Sequence, residues 1–165
     1  LTSPRASEPG HMSISPGNEL EFELFALLLQ KYNTIYAELL VSGPGLQRLH
    51  NALAEILGKR VPARSPQQIS TAATDNSCEV SQEALKTFCA LLGSICGDFI
   101  LANGAYGGLY LAGGIAPKII PFLEESEFLT RLCSKGKMQS HLEAVPVRVI
   151  TTPQPGLIGA ANVPL

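Results

Sequence analysis

The sequence predicts an α/β protein with a mainly parallel sheet, and three observations carry that expectation. Helix-like and strand-like segments alternate along the chain, as they do in parallel-sheet proteins. Leu109, Tyr110, Leu111 and Ala112 form a short apolar run suited to a strand buried on both faces. That run leads into Gly113-Gly114 and then Pro117, the order of a strand, a tight turn and the first turn of a helix.

Taken in order, residues 1–18 are rich in Ser, Pro and Gly, lack periodicity and read as loop. Asn18 is placed to cap the next helix, with Glu19 and Glu21 in a first turn that favours negative charge. Leu20, Leu24, Leu27 and Leu28 then give helical spacing to about Lys31. The apolar run Ile35 to Val41 reads as a strand, or a short turn followed by a strand. It ends in Ser42-Gly43-Pro44-Gly45, after which Leu46, Leu49, Leu53, Ile56 and Leu57 mark an amphipathic helix stopping near Gly58.

Residues 59–80 are polar and read as a loop with one short helix. Ser81 is the expected N-cap of the longest helix, whose stripe is Leu85, Phe88, Cys89, Leu92, Ile95, Cys96, Phe99 and Ile100. Gly93 and Gly97, four residues apart on this helix, would let a neighbour pack closely. After the strand at 108–112, residues 117–135 carry one or two helices. Pro146 to Thr151 is a final strand containing β-branched Val147, Val149 and Ile150. Pro155 to Ala161 starts a closing helix. Three strands among this many helices make a sheet that looks incomplete.

The chain has 165 residues, 45% of them hydrophobic and 16% charged, which is enough apolar material for one domain or one large lobe. A formal net charge of −2, without a basic block, argues against nucleic acid or an anionic membrane surface as main partner. No Trp is present for a sugar-stacking groove. The four cysteines, Cys78, Cys89, Cys96 and Cys133, form no C-x-x-C pair and lie near no histidine at metal-ligand spacing. They read as reduced thiols, Cys89 and Cys96 in the core, which suggests a cytoplasmic protein. No signal peptide or membrane span is expected.

On pattern alone, Gly113-Gly114 supports two readings: a tight βα turn, or a nucleotide seat at the end of a strand. Four segments in register favour the second. The run Gly107 to Pro117 resembles the adenosine segment of the bacterial ATP-dependent glucokinases, members of the hexokinase/actin/sugar-kinase superfamily. Val41-Ser42-Gly43-Pro44-Gly45-Leu46 resembles a second segment of that family. Pro146 to Ile150 with Pro155 to Ala161 resembles a third, and Ser126-Glu127-Phe128 with Lys135-Gly136-Lys137 a fourth. The likeness runs from about residue 7 to 162.

The resemblance implies the carboxy-terminal lobe of an actin-like, ribonuclease H-like sugar kinase, incomplete without its amino-terminal lobe. Residues 1–18 would form a loop carrying part of the sugar site, and residues 19–165 the α/β lobe. It implies glucose contacts at Glu8, His11 and Glu38 and ATP contacts at Ser42, Gly43, Gly113 and Gly114. Glu8-Pro9-Gly10-His11 stands where family members carry Glu-Gly-Gly-His, so Gly10-His11-Met12 reads as native sequence rather than a cloning scar. Pro9 replaces a family glycine, which puts the aim of Glu8 in question, because proline fixes φ and removes a donor. Carboxylates suit a hexose because each accepts several hydrogen bonds and can bridge adjacent hydroxyls. Without the family, the bland readings are a solvated loop charge, a surface histidine and a strand-edge charge.

The resemblance also implies ATP with Mg²⁺, the ion held mainly by the nucleotide and the other lobe, and D-glucose as the partner substrate. The family's glycine-rich phosphate hairpin and its Asn-Asp pair, whose Asp takes the sugar hydroxyl proton, have no counterpart here. Asp75 and Asp98 are the only aspartates, and neither lies in an Asn-Asp context. No catalytic residue and no metal ligand is therefore expected in this chain, and the chain alone is expected to be inactive. A lobe without its mate would expose a surface for self-association. The alternative is a non-catalytic sugar- or nucleotide-sensing module of the same superfamily.

Overall fold

A computed structural model describes residues 7–162. The part of the expected 1–18 loop at residues 1–6 lies outside the described residues. The described part of that loop contains a 3-10 turn at Pro9–His11. Helix α1 (Glu19–Leu29) starts as the sequence predicts, with the Asn18 side chain accepting the Glu21 N–H at 2.8 Å.

The expected strand at 35–41 is instead a single helical turn, α2 (Ala37–Leu40). Strand pairing there is confined to one antiparallel bridge between Ser13 and Tyr36. Ala, Glu and Leu are strong helix formers, and a short apolar run cannot by itself separate a strand from a buried helical turn. The second strand–glycine–helix unit is thus a helix–turn–helix, in which α3 (Gly43–Ile56) is capped by Ser42. Helix α4 (Pro66–Thr74) opens with a capping box between Ser65 and Gln68.

Helix α5 (Glu79–Asn103) is the spine of the molecule. Cys78, not Ser81, occupies its N-cap. Val80 is an apolar residue that belongs to the core, and burying it draws Ser81 into the helix, where its hydroxyl is buried without a partner. By length and composition α5 is apolar enough to cross a membrane, but two-thirds of that window is buried inside the protein, packed by α3, α4 and α7 (Phe128–Cys133). A Cβ on Gly93 would collide with the carbonyl of Phe128, and one on Gly97 with that of Leu132. The glycine pair therefore lets α7 lie directly on the α5 backbone, as its spacing predicts.

The remaining elements are β1 (Leu109–Leu111), a 3-10 turn at Ala116–Lys118, α6 (Ile120–Glu125), α7, a 3-10 turn at Gly136–Met138, α8 (Gln139–Glu143), β2 (Val147–Val149) and α9 (Pro155–Ala161). Among the described residues the sheet has two strands rather than three, β1 and β2, paired in parallel with Tyr110 opposite Arg148. The fold is α/β, with many helices around a small parallel sheet.

The core runs from α1 and α3 through α5 to α7, with Leu24, Leu46, Leu49, Leu53, Leu85 and Leu91 fully enclosed. One charged pair crosses it. The Glu21 carboxylate receives both Arg131 terminal nitrogens, at 2.6 and 3.0 Å, and the Gly17 N–H at 2.6 Å. Arg131 Nε donates to Ser94 Oγ at 3.0 Å, so the fork is fully engaged. This carboxylate holds the guanidinium above its ordinary pKa by hydrogen bonding. All four cysteines are free thiols, and burial pushes Cys89 and Cys96 up to about 12.

Candidate sugar and nucleotide sites

The first candidate site is built by the Pro9–His11 turn settling on α2. Pro9 occupies the first position of the turn, where its fixed φ and missing N–H cost nothing. The Glu8 carbonyl accepts the His11 N–H at 3.2 Å, and the Pro9 carbonyl accepts the Met12 N–H at 3.1 Å. The Met12 carbonyl then accepts the Ala37 N–H at 3.0 Å, tying the turn to the start of α2.

Two further contacts fix the arrangement. The His11 ring lies against Tyr36, with centroids 5.2 Å apart and planes tilted by 35°. A Cβ placed on Gly10 would stand 3.2 Å from Glu38 Oε2, so the turn presses on the Glu38 side chain. Gly10 thereby stands against Glu38 and His11 against Tyr36, and Glu8, His11 and Glu38 are all exposed. Tyr36, which seats His11, was not legible as part of this group; an aromatic next to an apolar run gives no signal of what it will stack on.

The second candidate site is a cleft of about 390 Å³. Ser42 and Gly43 border it at the start of α3, Gly113 and Gly114 at the end of β1, and Phe88 and Leu92 from α5. The four residues assigned to the nucleotide are thus gathered around one space. Phe88 and Leu92 were legible only as members of the core stripe.

Ser42 Oγ accepts the Gly45 N–H at 3.0 Å as a helix cap, and the hydroxyl keeps its own proton for donation. Gly113 has a φ of +119°, a conformation that side chains strain to adopt. No atom lies within 4 Å of where a Cβ on Gly114 would stand, so a ligand can approach this backbone closely. The residues expected to meet sugar and nucleotide are close along the chain, because only the rest of the single turn of α2 separates Glu38 from Ser42.

Among the described residues, no three His, Cys, Asp or Glu side chains converge as metal ligands would. Asp98 pairs with Lys135 at 2.7 Å. The Asp75 carboxylate accepts the Ser77 N–H at 3.0 Å.

The family model described as Glucokinase matches residues 2–164. The chain belongs to the glucokinase family. Among relatives, a protein named Glucokinase from Caulobacter sp. (strain K31) is 40% identical over 163 residues, 98% of this chain and 49% of that protein. A Glucokinase from Saccharophagus degradans is 37% identical, covering 96% of this chain and 49% of its own length. The crystal structure of a glucokinase from an Antarctic psychrotroph superposes with a TM-score of 0.87 at 38% identity, over 94% of this chain and 48% of that one. A glucokinase from Balamuthia mandrillaris, solved in complex with glucose, shares the fold with a TM-score of 0.79 at 22% identity, over 90% of this chain and 44% of that one. The chain therefore spans about half the length of the glucokinases it matches.

Proposed function

We propose that this chain is the carboxy-terminal lobe of a glucokinase, the enzyme that transfers the terminal phosphoryl group of ATP to the 6-hydroxyl of D-glucose, giving glucose 6-phosphate and ADP. The observation that carries this reading is the juxtaposition of two sites assembled from four separate segments. Glu8 to His11 meet Glu38 in one, Ser42-Gly43 meets Gly113-Gly114 in the other, and one helical turn joins them.

In this reading Glu38 and Glu8 accept hydrogen bonds from sugar hydroxyls. His11 adds a donor or an acceptor according to its tautomer, and Tyr36 holds its ring in place. Ser42 donates its hydroxyl proton to a phosphate oxygen. The open backbone at Gly113-Gly114 admits the nucleotide at close range. Phosphoryl transfer depends on such positioning together with charge neutralisation. Mg²⁺ would supply that neutralisation from the nucleotide's own phosphates; among the described residues no cluster of three His, Cys, Asp or Glu is built to hold it.

The lobe contributes no base for the sugar hydroxyl, since Asp98 is paired with Lys135 and Asp75 accepts from its neighbouring turn. The 165-residue chain alone is therefore inactive in this reading, its setting is the cytoplasm, and its uncovered surface allows self-association. The sensing-module alternative gains nothing from the geometry.

Calorimetry with glucose tests the sugar half of the proposal. The wild-type chain should bind, and Glu38→Gln should weaken binding about tenfold, as expected when a charged acceptor is lost. Equal affinity in the two proteins would remove Glu38 from the site. A coupled assay showing glucose-dependent ATP turnover by the purified chain would show that the base is within it after all.

A further inference from the structure

Cys78 stands at the N-cap of α5, the longest helix, and its side chain makes no capping hydrogen bond there. The first N–H of this helix end with a backbone partner is that of Gln82, which the Cys78 carbonyl accepts at 3.0 Å. The N–H groups of Val80 and Ser81 instead face the Cys78 sulfur. Both residues are buried away from solvent. The Ser81 hydroxyl is turned toward the same sulfur, and it is fully enclosed without a hydrogen-bond partner. A neutral thiol is a weak acceptor, whereas a thiolate can accept from all three donors. The enclosed hydroxyl thus marks a place shaped for negative charge on Sγ.

The surrounding charges agree. Burial alone would raise the Cys78 pKa, but the Ser81 hydroxyl, the Ser81 and Val80 N–H groups and the Arg64 charge outweigh it, and the thiol lies below its ordinary value. Glu79, the next residue, has its charge met by Lys59, and the Asp75 carboxylate accepts the Ser77 N–H. The other three thiols differ. Burial pushes Cys89 and Cys96 up to about 12, and burial together with the charge of Glu143 raises Cys133. Cys78 is also partly exposed, whereas Cys89 and Cys96 are buried.

An open cleft of about 860 Å³ adjoins this thiol. Ser77, the residue before Cys78, lines it, and so does Ala72, whose carbonyl accepts the Cys78 N–H at 3.3 Å. The volume suits a small ligand. Arg64 and Asp75 give the cleft one charge of each sign. Arg64 makes no ion pair among the described residues, so its planar fork can take a carboxylate. Asp75 offers its carboxylate to an ammonium. A short peptide that carries both groups and a disulfide matches the cleft and the thiol together.

We propose that Cys78 is a modification site that exchanges with a small peptide disulfide of the glutathione type and holds one half of it as a mixed disulfide. The Cys78 thiolate attacks one sulfur of the disulfide, a new S–S bond forms and the old one breaks. Cys78 is oxidised, and the departing half leaves with the bonding pair as a thiolate, which takes a proton from water. A free thiol reverses the step.

The test treats the folded 165-residue chain with glutathione disulfide and follows intact mass and a peptide map. One glutathione should add to Cys78 about tenfold faster than to Cys133, and dithiothreitol should remove it. Cys78→Ser, which keeps a good N-cap, should abolish that adduct. Ser81→Ala should slow the exchange about threefold at pH 7 and raise the pH midpoint for alkylation of Cys78 by iodoacetamide. Simple exposure of a thiol predicts neither change. Arg64→Gln should slow glutathione disulfide more than the uncharged hydroxyethyl disulfide. Equal rates at Cys78 and Cys133, or an unchanged midpoint in Ser81→Ala, would overturn the proposal. Faster exchange with hydroxyethyl disulfide than with glutathione disulfide would overturn the peptide as its occupant.

Discussion

The middle of the molecule and its carboxy-terminal end are built to different standards. Around α5, helices pack backbone to side chain, with α7 seated on Gly93 and Gly97 and the Glu21–Arg131 pair locked within the contact. At the other end, α9 buries none of its residues, and Leu157 and Ile158 are 66% and 50% exposed. There Tyr110 and Arg148 stack on each other across an otherwise open sheet face. The difference teaches that the chain carries its own core at one end and lacks a covering layer at the other. A two-stranded parallel sheet is seldom left in this state, since parallel strands are normally covered on both faces.

The contrast can be broken most severely at the ion pair. Replacing Arg131 by Met leaves the Glu21 carboxylate buried and unpaired, and urea melts should show a loss of about 3–5 kcal/mol. Gly93→Ala should cost about 1–3 kcal/mol by the same measurement, because the added methyl group meets the Phe128 backbone rather than a yielding side chain.

A smaller effect follows from His50, whose side chain is fully enclosed in α3. Its Nδ1 lies 3.5 Å from Asn51 Oδ1 and its Nε2 has no partner. Burial lowers its pKa from the ordinary 6.5. The folded state thus favours the neutral ring, and the unfolded chain takes up the proton first as pH falls. Its stabilising effect is complete above pH 6.5 and is lost on acidification from there toward the lower folded value, by at most about 1.4 kcal/mol per pH unit. Melting temperatures recorded from pH 8 to pH 5 should fall, and His50→Gln should flatten the curve. Smallest of all, Leu157→Ser on α9 should change stability by less than about 0.5 kcal/mol. A large loss there would show that the uncovered end is already packed, and sedimentation would then reveal whether a second copy of the chain covers it.

Much of the helical layer was legible because its stripes are long. α1, α3 and α5 each repeat apolar residues at helical spacing, and Asn18 caps α1 as expected. The α2 turn was misread because four residues give too little periodicity to separate helix from strand. The Ser81 cap failed because capping preference yielded to the burial of Val80. Glu21 was legible as a helix-start charge but not as half of an ion pair, since its partner stands 110 residues away. Within the candidate sites, the gathering of Ser42-Gly43 with Gly113-Gly114 followed from family likeness rather than from pattern.

The proline at position 9 bears on how a sugar would be met. Because Pro9 starts the 3-10 turn with its φ already set, the loop carrying Glu8 and His11 gives up less conformational freedom when it closes on a ligand than a Gly-Gly segment would. Under the proposed sugar reading the consequence is kinetic as well as energetic: a loop shaped in advance would let a hexose dock without waiting for the chain to find its form.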